Sequence, residues 1–194
     1  MAKKRAGFLK RYFGEAFDYI IESRDYIYFI FGLFIISAII GFVFHEEFSF
    51  FDLLIKEIIK KAENLRGLEL IFFIFKNNLW SAFITMIFGI AIGIFPLISC
   101  MLNGSILGYV MRITFENYGT AEFWRILPHG IFELPAIFIS MALGLKTGMF
   151  VFSDNKMSEL KCRTYNSMIV FLKMVLPLLI IAAIIEGTLI TLLK

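Results

Sequence analysis

From Leu79 to Met111 the chain carries no charged residue, a run of about 33 residues that would reach roughly 50 Å as one helix. A bilayer's hydrocarbon core is about 30 Å thick. One span cannot absorb the run, so it predicts two crossings with a break between them. Pro96, near the middle, and Asn103-Gly104 mark that break. The reading is a span over about 79–95, a tight connection, and a second span over about 101–115. The other arrangement is a re-entrant loop through "PLISCMLNGSILG", tolerated only where protein or a water-filled cavity covers it.

Composition agrees with a lipid solvent. The 194 residues are 59% hydrophobic and 18% charged, with 24 Phe, and the mean hydropathy is +0.81. Soluble domains are usually about 45–50% apolar. A net charge of +3 gives no basis for nucleic-acid binding; the basic residues matter by position, because they orient spans. Cys100 falls in an apolar run and Cys162 in a polar one, so both read as free thiols rather than a disulfide framework.

Residues 1–25 hold Lys3, Lys4, Arg5, Lys10, Arg11 and Arg24, while Leu9, Tyr12, Phe13, Ala16, Phe17 and Ile20 recur at helical spacing. A helix basic on one side and aromatic on the other lies in the interface of an anionic leaflet; packing against the spans is the other reading. "IYFIFGLFIISAIIGFVF" then reads as a signal anchor that stays in the membrane, since no cleavage site follows. The polar excursion from His45 to Asn78 contains a surface-lying helix, with Phe51, Leu54, Ile55, Ile58 and Ile59 opposite Lys56, Lys60 and Lys61. Its "LELIFFIF" is too short to cross. Trp124 suits an interface anchor. A fourth span is expected over about 132–152 and a fifth, containing Pro177, over about 168–193.

The expected fold is therefore all-α: a membrane bundle of about five spans with interfacial helices. It divides into a cytoplasmic amphipathic segment, 1–25, and a helix-bundle domain, 26–194. With the N-terminus inside, Lys146, Lys156, Lys161, Arg163 and Lys173 join the six basic residues of the first segment on the cytoplasmic side. Lys146 and Lys173 are expected to snorkel to the inner interface.

Two ladders of small residues recur at intervals of four: Ser81, Thr85, Gly89, Gly93, and Ala136, Ser140, Gly144, Gly148. Gly104 and Gly108 repeat the spacing. Such stripes let helix backbones approach closely, either within one bundle or between subunits. Neither use implies catalysis.

The ionisable residues concentrate in "ILPHGIFELP". Pro128 suits a first helical turn, Gly130 follows it, and His129 and Glu133 fall one turn apart on one face. Three uses compete. Two ligands are too few for zinc, so no metal or cofactor is expected. A proton or ion relay fits the rule that intramembrane acids mark pathways. A structural clamp, reaching Asn103 in the neighbouring span, fits the need of buried polar groups for partners.

"KNNLWSAF", "GIAIGIFPLISCMLNGSILGYV" and "LPHGIFELPAIFISMALGLKTG" together resemble the stage II sporulation protein M family of multi-pass membrane proteins. The resemblance covers roughly 77–148 and falls on Asn77, Asn78, Gly89, Gly93, Asn103, Gly104, Gly108, Pro128, His129, Gly130, Glu133 and Gly144. It implies a scaffold that holds peptidoglycan-degrading partners at the membrane and is not itself a hydrolase. The expected function is thus a non-enzymatic membrane scaffold that binds other membrane or envelope proteins and self-associates. The alternative is a channel or transporter with a pathway past Asn103, His129 and Glu133.

Overall fold

The computed structural model describes residues 13–119 and 127–193, with side chains over 13–119 and 130–192. The basic residues of 1–12, Trp124, and the side chains of Pro128 and His129 therefore lie outside the described residues. The described chain folds into helices: α1 over 13–22, then α2 (Arg24–Val43), α3 (Phe51–Ala62), α4 (Leu68–Ile87), α5 (Ile94–Tyr118), α6 (Leu127–Gly148), α7 (Lys156–Val170) and α8 (Leu176–Leu193). Five stretches are long and apolar enough to cross a membrane: Arg24–Val43, Leu68–Ile90, Ile94–Tyr118, Gly130–Phe152 and Lys156–Leu192.

The spans differ from the expected ones at the second and third. The second begins at Leu68 rather than near residue 79, because α4 runs unbroken through Lys76, Asn77 and Asn78. Lys76 and Asn77 face outward, where a long stem can carry its charge toward the interface, so polarity at that point does not end the helix. "LELIFFIF" is the first part of this span.

The turn between the second and third spans lies at 91–93, ahead of Pro96 and well ahead of Asn103-Gly104. Ile92 (φ 57°) and Gly93 (φ 69°) both take left-handed backbone there. Glycine adopts that conformation freely, whereas a β-branched residue is strained in it. Pro96 sits in the first turn of α5, where its missing N–H has no intrahelical partner to lose. Asn103 and Gly104 lie mid-helix, and α5 runs continuously through the stretch weighed as a re-entrant loop.

The last span is part of a helix of 37 residues, Lys156–Leu192, longer than any bilayer core requires. A π-helical turn, Phe171–Val175, separates α7 from α8. It lies just before Pro177, whose ring would collide with the carbonyl four residues back in a regular α-helix. The wider turn moves that carbonyl away and lets the helix continue.

Helix α6 is the centre of the bundle. Its span is 61% buried, against 22–33% for the other four. One side packs with Tyr19, Met86, Val170, Phe171 and Leu179, and the other with Ile30, Phe34 and Cys100. Small side chains make this possible. A Cβ added to Gly89 would run into the backbone of Gly144, and one on Gly148 into that of Gly93. A Cβ on Gly144 would stand 2.8 Å from the Thr85 carbonyl oxygen. The two ladders thus meet each other inside one chain. A second seam joins α2 to α5, where a Cβ on Gly104 would lie 2.6 Å from the Phe34 carbonyl oxygen and one on Gly108 would strike Ala38.

At the opposite end from these turns, α3 keeps Phe51 buried against Tyr109 and leaves Leu54, Ile58 and Ile59 exposed. Lys56 and Lys60 fall on the other side of the helix from those positions, as suits a helix lying on a membrane surface.

Candidate functional site

The most developed polar cluster gathers where α1, the end of α6 and α7 meet. Lys146 is only 5% exposed. Its ammonium donates to the Ser23 hydroxyl at 3.0 Å, pairs with Glu22 at 3.0 Å, and stands 3.8 Å from the centre of the Tyr19 ring. It is therefore bonded inside the protein rather than snorkelling to water. Arg163 of α7 closes over the same region. Its guanidinium donates to the Lys146 carbonyl at 2.9 Å, the Glu159 carboxylate at 2.9 Å and the Ser153 hydroxyl at 3.2 Å. Burial pushes the Tyr19 phenol up to about 12. Its hydroxyl faces Ser167 but meets it short of hydrogen-bonding geometry.

Beside this cluster Thr147 and Ser167 share a hydroxyl contact of 3.3 Å. With Thr164 they line a cavity of about 10 Å³, space for roughly one water. These contacts pin α1 and α7 to the bundle, so both helices hold fixed positions relative to it.

The intramembrane residues singled out from the sequence separate into two groups. Glu133 of α6 faces Asn78 of α4 and lies near Glu186 of α8. Asn77 is exposed beside Asn78 and donates to it at 3.3 Å. Asn103 does not join them: its amide donates to the Ser99 carbonyl at 2.7 Å within α5. Ser99 in turn contacts Thr85 at 3.2 Å, bridging α4 and α5. Sequence reasoning did not foresee the Asn78–Glu133–Glu186 grouping, since its members come from three different spans.

A third cluster sits at the α3 end. Tyr109 donates to Asp52 at 2.6 Å, and Arg112 to Glu116 at 2.7 Å. His45 approaches Glu116 at 3.5 Å. These contacts tie the segment after α2 to α5. Among the described residues no group of three His, Cys, Asp or Glu side chains is placed to hold a metal. Cys100 is buried and its thiol donates to the Ile30 carbonyl at 3.3 Å, whereas Cys162 is exposed.

Comparison with known proteins bears on this arrangement. The family model described as stage II sporulation protein M matches residues 30–190. An uncharacterized protein of Methanocaldococcus jannaschii is 30% identical over 186 residues, covering 87% of this chain and 82% of that protein. No solved structure matches the chain.

Proposed function

The chain belongs to the stage II sporulation protein M family, and from that premise we propose that it is a non-enzymatic membrane scaffold that binds other membrane or envelope proteins. The observation that supports this most is the backbone-to-backbone packing of Gly89 with Gly144 and Gly93 with Gly148. Helices locked at that distance resist the sliding a carrier needs, and they form a fixed body on which α7 is held by Arg163. The outer face of α7, with Met157, Lys161, Cys162 and Tyr165 exposed, is the partner surface of this reading. Self-association, if the scaffold uses it, draws on faces other than the two ladders.

The N-terminus is cytoplasmic in this proposal. In a five-span chain with that orientation the sequence assigns eleven basic residues to the inner side against eight to the outer, as expected of an inner face. A second reading, a channel or transporter, draws support from the grouping of Glu133, Glu186 and Asn78 across three spans, since acids at membrane depth often mark pathways.

A photo-crosslinking amino acid at Tyr165, which is 67% exposed, tests the scaffold in native membranes. A discrete protein adduct at this position, absent from the lipid-facing control position Trp80, is expected. Adducts to lipid alone at both positions would contradict the partner surface.

A further inference from the structure

At the Lys146 end, α2, the first turn of α5 and the last turn of α6 leave a groove of about 410 Å³ between them. Tyr26, Phe29, Leu97, Leu145 and Met149 form its walls, and Asp25 stands at its rim. All six belong to spans. The groove descends about one helical turn, from Asp25 to Phe29 on one wall and from Met149 to Leu145 on the other, or roughly 6 Å. An apolar wall at that depth faces hydrocarbon, so an acyl chain is the occupant its position supplies.

Specificity comes from Asp25 at the rim and from Arg24, its ion-pair partner and the residue before it in the chain. Arg24 and Asp25 lie 3.6 Å apart, with side chains 67% and 85% exposed, so both charges remain open to a third group. Tyr26, whose ring is apolar and whose tip is polar, suits the boundary between tail and headgroup. A guanidinium matches a phosphate. A carboxylate beside it matches a headgroup cation, and it can accept hydrogen bonds only from a cation that has N–H groups. A trimethylammonium has none, and a glycerol headgroup has no cation.

We propose that this groove binds a phospholipid whose headgroup bears a phosphate and a primary ammonium. The phosphate lies on Arg24, the ammonium on Asp25, and one acyl chain runs against Phe29, Leu97 and Met149. The lipid seals the seam where α2, α5 and α6 converge.

Native mass spectrometry of the full chain, released from vesicles of equal phosphatidylethanolamine, phosphatidylcholine and phosphatidylglycerol, tests the assignment. One phosphatidylethanolamine retained ahead of the other two is expected. Asp25→Asn, at a position too exposed to affect folding, should reduce the preference over phosphatidylcholine by up to about fivefold, the size of an exposed ion pair. Met149→Trp should fill the groove and remove the retained lipid, with circular dichroism showing the helices intact. Equal retention of the three lipids, preference for phosphatidylglycerol, or an Asp25→Asn preference equal to the unmodified protein's would overturn the proposal. So would a dimer that Met149→Trp dissociates, since a second copy would then be the occupant.

Discussion

Gly89 and Gly144 stand so close that a methyl group on the first would occupy the backbone of the second. A Cβ on Gly144 itself would stand 2.8 Å from the Thr85 carbonyl oxygen and 3.1 Å from the Met86 Cα, both main chain, so little can move to relieve it. Gly144→Leu should therefore destabilise by about 1–3 kcal/mol or more, a fall in Tm of several degrees in detergent. Gly32 has no atom near its hypothetical Cβ, and Gly32→Leu should stay within about 0.5 kcal/mol. Equal melting of the two variants would mean that the ladder does not hold the bundle.

Lys146 anchors α1. Replacing it with an apolar side chain of similar length removes an expensive buried charge, and its partner Glu22 is 67% exposed to water, so no buried charge is left stranded. Lys146→Met should leave Tm nearly unchanged yet speed amide exchange over residues 13–22. Lys146→Glu places a carboxylate against Glu22 and should lower Tm and release the same segment. Glu22→Gln should cost no more than about 1 kcal/mol, because Glu22 is 67% exposed and screened. Unchanged exchange in both Lys146 variants would show that α1 is held by other contacts.

Tyr19 predicts an alkaline limit. Burial raises its phenol from 10.0 to about 12, so between those values the unfolded chain releases a proton that the folded chain keeps. Stability from this group is complete below about pH 10 and is lost as pH rises toward 12. Tyr19→Phe should flatten that decline in an unfolding series across this pH range, and at neutral pH it should be neutral or slightly stabilising, since the hydroxyl has no good partner. A decline identical in both proteins would place the alkaline sensitivity elsewhere.

The two native thiols report topology. An impermeant maleimide added to intact cells should leave Cys162 unlabelled and modify it after permeabilisation, while buried Cys100 reacts only on unfolding. In a Cys162→Ser background, Glu63→Cys should label from outside and Asn155→Cys should not. Labelling of both positions from one side would contradict five crossings.

The number of spans and the small-residue ladders could be read from the sequence because composition and spacing are local properties. The break between the second and third spans could not. Pro96 and Asn103-Gly104 look like stops, yet proline is tolerated in a first turn and Gly104 serves packing against Phe34. The left-handed residues that make the turn, Ile92 and Gly93, sit in an unremarkable apolar run. Lys146 read as a snorkelling residue because its partners, Ser23 and Glu22, are far away in sequence. One clue was present: it lies between the rungs Gly144 and Gly148, at the end of a helix built for close approach. The expected clamp through His129 falls on a side chain outside the described residues, and Glu133 turns to Asn78 while Asn103 serves Ser99. Those partnerships depend on the rotation of packed helices, which one sequence does not encode locally.

The central claim, a fixed scaffold rather than a conduit, is tested most directly by flux into proteoliposomes. The unmodified protein should pass protons, monovalent cations and anions no faster than protein-free vesicles under an imposed gradient. Glu133→Gln should match it. A protein-dependent flux that Glu133→Gln abolishes while Tm and assembly stay unchanged would contradict the scaffold and establish a pathway through Glu133, Asn78 and Glu186.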